Sequence, residues 1–138
     1  MNLMRLANIG AIVPAAGQGK RMGGQGNKLL LKLAGTPVLL YVLTTLEQCP
    51  YISDIIIAAA EQDIPEIAEL ASQNNVGKVK AIVRGGKERQ ESVFRALQAV
   101  NPRIDRIVIH DGARPLLTVQ ELNAFLEQAA IYEAAIMA

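Results

Sequence analysis

Two cations set among small residues carry the strongest chemical signal in this chain. From Ile12 the sequence runs Ile-Val-Pro-Ala-Ala-Gly-Gln-Gly-Lys-Arg-Met, which places Pro14, Ala15, Ala16, Gly17, Gly19, Lys20 and Arg21 in one stretch, and Lys28 follows. Small side chains let a backbone come close to a ligand, and Lys and Arg supply charge-assisted hydrogen bonds to phosphate oxygens. The stretch reads as a cradle for nucleotide phosphates. The same composition suits a Gly-rich surface loop whose cations are only solvated. Spacing excludes two common cradles. A Walker A loop needs Gly where Pro14 stands and Ser or Thr where Arg21 stands, and the dinucleotide fingerprint needs a third Gly where Met22 stands. Arg21 and Lys28 are the candidates for stabilising charge during phosphoryl transfer, against a helix-surface cation and a snorkelling side chain. Lys20 points away from its neighbour Arg21, either to solvent or to a triphosphate.

Two further clusters have the composition of a site. Gly85-Gly86-Lys87 precedes a helix-like run that opens with Arg89 and Ser92 three apart, on one helical face. The glycines allow close approach of backbone to a ligand, while Ser92 has the alternative of bonding backbone in the first turn. His110-Asp111-Gly112-Ala113-Arg114-Pro115 follows an apolar run. Asp111 suits proximity to a hard cation such as Mg²⁺, which keeps waters and substrate oxygens in its shell, or the capping of a turn. Arg114 is a substrate contact or a loop ion pair. His110, the single histidine, reads as a structural hydrogen-bonding residue at a strand end.

The elements that must position these residues alternate between strand-like and helix-like patterns. Apolar runs at 9–14, 52–60, 78–83 and 106–110 predict strands, with those at 52–60 and 106–110 buried. Helical spacing predicts helices over 37–48, 65–74, 88–100 and 119–133, and 134–137 opens as another strand. The alternation predicts an α/β fold, a Rossmann-like, mostly parallel sheet with helices on both faces. Ligands in such sheets bind beyond the carboxyl ends of the strands. The Gly17 loop, the Gly85-Gly86 loop and Asp111 each follow a strand, so they are expected on one edge.

Composition agrees. A chain of 138 residues suits one domain, and 51% apolar residues suffice for a sizeable core. With 14 basic and 13 acidic residues, the balance argues against general nucleic-acid or membrane-surface binding. No run approaches the roughly 18 apolar residues of a membrane span, and the first residues lack a signal-peptide pattern. Cys49 is the single cysteine, so no intrachain disulfide forms, which suits a reducing cytoplasm.

Taken together, the three motifs resemble the N-terminal, nucleotide-binding part of the 2-C-methyl-D-erythritol 4-phosphate cytidylyltransferase family. The match rests on Pro14-Ala15-Ala16-Gly17-x-Gly19-x-Arg21-Met22 with Lys28, on Gly85-Gly86-x-x-Arg89-x-x-Ser92-Val93, and on His110-Asp111-Gly112-Ala113-Arg114-Pro115. The resemblance implies a nucleotidyltransferase-type fold and transfer of a cytidylyl group from CTP to a sugar-alcohol phosphate, with Mg²⁺ as cofactor. It implies that Ser92 and the Gly86–Lys87 backbone meet cytosine, that Asp111 lies near ribose, phosphates and metal, and that Arg114 meets methylerythritol phosphate. It further implies that residues 1–138 are one part of a longer domain. The remainder would carry a dimerisation arm, giving a homodimer, and further acceptor-binding residues. This chain departs from the usual pattern at Asn27-Lys28-Leu29-Leu30, at Gly112 and at Lys87, where an acidic residue is common. These differences touch substrate detail more than reaction class. Ribitol-5-phosphate cytidylyltransferase resembles the chain in the same motifs, and a CTP-binding module without turnover is the alternative of a different class.

Overall fold

The computed structural model describes residues 8–16, 28–111 and 117–129. Chain order begins with strand β1 (Ile9–Ala15), then a short 3-10 turn at Lys28–Leu30, a small hairpin of β2 (Lys32–Leu33) and β3 (Thr36–Pro37), and helix α1 (Val38–Gln48). Next come β4 (Ile52–Ala59), α2 (Ile64–Gln73), β5 (Val79–Arg84), α3 (Arg89–Gln98), β6 (Arg106–Ile109) and α4 (Val119–Ala129). The sheet has four strands in the order β5-β4-β1-β6, all parallel. The strand expected at 134–137, and helix residues beyond Ala129, lie outside the described residues.

Burial on both faces explains the near-continuous apolar strands. Ala11, Val13 and Ala15 of β1, with Ile55, Ile57 and Ala59 of β4, face a core shared with Leu39, Leu43 and Leu46 of α1, Ile67 of α2 and Leu122 of α4. Ile12, Ile56 and Ala58 face the other way, onto Ala96 of α3. Each fully buried Leu, Ile or Val among them contributes on the order of 1.5–3 kcal/mol. Helices α1, α2 and α4 therefore cover one face, and α3 crosses the other. Cys49 is buried in the first core, and its thiol donates to Asn123 Oδ1 at 3.1 Å. Burial pushes the Cys49 thiol pKa up.

Local chemistry sets the element ends. Helix α4 starts at a capping box: the Glu121 N–H donates to Thr118 Oγ1 at 3.0 Å, and the Thr118 N–H donates to Glu121 Oε1 at 3.1 Å. Helix α2 carries a proline in its first turn, where a missing N–H is tolerated. Pro37, expected just inside α1, instead closes the β2–β3 hairpin and precedes the helix. That hairpin was not legible in the periodicity. Its turn residues Ala34 and Gly35 both have positive φ, 54° and 85°. This is the backbone of a tight two-residue turn, formed here without the Asn-Gly pair that usually announces one.

Candidate functional site

Strand β1 is central in the sheet, yet it contains Pro14, which has no N–H to give a ladder. The pairing of β1 with β6 ends at Ile12–Ile109, and the His110 N–H donates to the Ile12 carbonyl at 2.9 Å. Pro14 stands beyond that point and pairs in register only with Ala58 of β4. The two strands thus part just before Ala15 and Ala16, at the place where the strand order reverses. That crevice is where open α/β sheets bind ligands.

Three of the predicted segments meet there. The Gly85 N–H extends the β4–β5 pairing by donating to the Ala59 carbonyl at 2.8 Å. A Cβ at Gly85 would stand 2.6 Å from Ala16 Cβ and 2.7 Å from Ser92 Oγ. The loop after β5 is therefore packed directly on the end of β1, and only glycine fits. Ser92 is buried, 2% exposed, and its hydroxyl accepts the Gly86 N–H at 3.0 Å. In this structure Ser92 holds the loop that leads to Lys87, whose side chain is exposed. A Cβ on Gly86 would lie 2.5 Å from Glu91 Cβ, so the second glycine is also closely covered.

The third segment is tied in by charge. Arg89 Nε donates to Asp111 Oδ1 at 3.1 Å. The pair ties the first residue of α3, just after the β5 loop, to the residue that follows β6 and its His110. Both side chains are about half exposed, 52% and 48%, so the pair is exchangeable and contributes little to stability, about 0–1 kcal/mol. His110 is buried at the strand end with Nδ1 2.7 Å from the Asp111 carbonyl. That placement matches the structural role expected for it.

Pro14, Ala15, Ala16, Gly85, Gly86, Lys87, Arg89, Ser92 and Asp111 are thus at the carboxyl edge. Lys28 opens the 3-10 turn that precedes the hairpin. Gly17, Gly19, Lys20, Arg21, Gly112 and Arg114 lie outside the described residues. Sequence reasoning did not single out Arg95, whose guanidinium donates to the Gly85 carbonyl at 3.2 Å and to the Arg84 carbonyl at 3.4 Å. Its spacing of four from Glu91 reads as an ordinary solvent-facing helix pair, and that hid it. Among the described residues no group of three or more His, Cys, Asp or Glu could hold a metal ion. None of the helices searched is long and apolar enough to cross a membrane.

A parallel sheet in this order, with small-residue loops gathered at its switch point, is the α/β fold of the nucleotidyltransferases. The family model described as 2-C-methyl-D-erythritol 4-phosphate cytidylyltransferase matches residues 9–138, and the chain belongs to that family. Curated relatives bearing that name include one from Halalkalibacterium halodurans, 45% identical over 127 residues, which cover 92% of this chain and 55% of the relative. Another, from Symbiobacterium thermophilum, is 43% identical over 130 residues, covering 94% of this chain and 53% of the relative. The chain spans about half the length of these relatives. The fold is similar to that of 4-diphosphocytidyl-2C-methyl-D-erythritol synthase from Anaerococcus prevotii, with a TM-score of 0.76 at 24% identity over 91% of this chain and 52% of that one.

Proposed function

We propose that the protein transfers a cytidylyl group from CTP to 2-C-methyl-D-erythritol 4-phosphate and releases pyrophosphate, a step of non-mevalonate isoprenoid biosynthesis. The observation that carries the reading is the packing of the Gly85-Gly86 loop on Ala16, with Arg89 reaching Asp111, at the switch point of a member of this family. An oxygen of the acceptor phosphate forms a bond to the α-phosphorus of CTP, and the bond from that phosphorus to the bridging oxygen breaks, so the electron pair leaves with pyrophosphate. The acceptor oxygen is already ionised, and no side-chain nucleophile is required. The work of the protein is alignment and neutralisation of charge.

In this reading Gly85, Gly86 and the Lys87 backbone, with Ser92 behind them, present hydrogen-bonding groups to the pyrimidine edge. Pro14, Ala15, Ala16, Gly17, Gly19 and Lys20 border the sugar and triphosphate. Arg21 and Lys28 stabilise the transferring phosphoryl group. Gly112 and Arg114 face the acceptor. Arg89 orients Asp111. A divalent cation, Mg²⁺ in our reading, fits the donor set: one half-buried carboxylate at the crevice suits an ion that takes most of its remaining shell from waters and substrate phosphates, rather than an all-protein cage. When bound it would neutralise charge on the phosphates, and Asp111 is the residue that would hold it. The same reading places the protein in the cytoplasm, consistent with its buried, unpaired Cys49, and as a homodimer.

Calorimetric titration in Mg²⁺ should show CTP bound in preference to ATP and GTP, because a backbone-lined pyrimidine site excludes the larger purines. Equal or tighter ATP binding would overturn the cytidine assignment. With the remainder of the domain present, pyrophosphate release is expected with methylerythritol phosphate, and residues 1–138 alone are expected to turn over only very weakly. Turnover with ribitol phosphate alone would move the acceptor, and CTP binding with no turnover on either would leave a binding module.

A further inference from the structure

Helix α3 does more at this site than supply Arg89 and Ser92. The β4–β5 ladder ends at Ala59–Arg84, and the next two carbonyls, Arg84 and Gly85, turn toward α3. Arg95 Nη1 donates to both of them, at 3.4 and 3.2 Å, while Nη2 is held by Glu91 at 3.3 Å. From the same face of the helix, Ser92 Oγ accepts the Gly86 N–H, and the Glu91 side chain closes over Gly86. Ser92 and Arg95 therefore hold successive peptide groups of one short loop, with Glu91 pairing to Arg95 and covering Gly86. A planar guanidinium can hold two carbonyls and a carboxylate at once, which a lysine ammonium on a flexible stem does less well.

We propose that Arg95 is a positioning residue for the loop that reads the nucleotide base. The inference rests on the assignment of Gly85-Gly86 to the pyrimidine. A loop that recognises a base edge with its own N–H and C=O groups depends on those groups being held in place before the ligand arrives. Arg95 does this without carrying the helix itself, which is anchored by buried Ser92 and Ala96 and by the packing of Ala99 and Val100. The Arg95–Glu91 pair is exposed enough, 41% and 47% respectively, to matter little for global stability. Loss of Arg95 thus loosens the loop and leaves the fold.

The experiment compares the parent protein with Arg95→Met and Arg95→Lys, using CTP titration, steady-state kinetics and amide hydrogen exchange. For Arg95→Met, Kd and KM for CTP rise about tenfold, the scale of a lost charge-assisted hydrogen bond. The value of kcat stays within about threefold, because Arg95 meets no reacting atom. Exchange at the Gly86 and Lys87 amides speeds up, while β4 keeps its protection. Arg95→Lys falls between the two. A Kd within twofold of the parent, a loss confined to kcat, or unchanged exchange at Gly86 would each overturn the assignment. So would failure of Arg95→Met to fold, since the residue would then support the core. If the parent itself shows no preference for CTP, the base assignment falls. The exchange data still decide whether Arg95 holds the loop.

Discussion

Replacing Gly85 with alanine tests the architecture of the site most directly. A Cβ at that position would sit 2.6 Å from Ala16 Cβ and 2.7 Å from Ser92 Oγ, well inside van der Waals contact. Neither neighbour is a flexible side-chain end: Ala16 is fixed by β1, and Ser92 is buried in the first turn of α3. The loop must move instead. Movement puts at risk the bonds from the Gly85 N–H to Ala59 and from the Gly86 N–H to Ser92, 2.8 and 3.0 Å long. Overpacking of this kind costs about 1–3 kcal/mol, and one weakened, partly buried hydrogen bond adds about 1 kcal/mol. The expected loss is therefore about 2–4 kcal/mol in stability. Urea denaturation reads it as a lower midpoint at unchanged slope, and CTP affinity should fall with it. The double variant Ala16→Gly/Gly85→Ala removes one of the two clashes. It should recover part of the loss, a coupling that a double-mutant cycle measures. A Gly85→Ala protein within about 0.5 kcal/mol of the parent, the range of a neutral surface change, would show that the loop is not packed on β1 as described.

Two further outcomes follow from the chemistry. In a full-length context, Arg21→Ala or Lys28→Ala should lower kcat on the order of 10²–10³ with a much smaller effect on CTP binding, because charge on the phosphoryl group develops in the transition state; kinetics showing kcat within about threefold of the parent would remove that role. At the amino end of the sheet, the Tyr51 hydroxyl donates to Glu127, and this bond holds the phenol pKa above its ordinary value of 10.0. A raised acid favours the protonated, folded form, so its contribution is complete below the unfolded pKa and is lost as pH rises through the folded one. The stability advantage of the parent over Tyr51→Phe should stay level from pH 7 to about 9.5 and shrink as pH climbs past the ordinary phenol pKa of 10.0 toward the raised folded one; urea titrations showing no decline of the advantage above pH 10 would contradict the linkage.

What this sequence determined by itself was the order of elements and the identity of the loops. The apolar runs that became β1 and β4 had to be strands buried on both faces, because they have almost no polar side to present to water, whereas the shorter runs of β5 and β6 carry Lys80, Arg84 and Arg106 and form the two edges of the described sheet. Helix α3 was legible from the spacing of Val93, Leu97 and Val100, but the face it buries is that of Ser92 and Ala96, and Leu97 is exposed. The convergence of Ala16, Gly85 and Asp111 followed from a rule about where parallel strands deliver their loops. Tertiary structure alone decided the rest. The β2–β3 hairpin rests on positive φ at Ala34, which no residue preference announces. Arg89 was expected at the ligand, but three-dimensional proximity gave its guanidinium the carboxylate of Asp111, 22 positions along the chain. Arg95 carried no motif signal, since its partners are the backbone carbonyls of Arg84 and Gly85. Backbone groups are the same in every residue, so a side chain that recognises them leaves no trace in the spacing of residue types. It becomes visible only when the helix and the strand end are placed side by side.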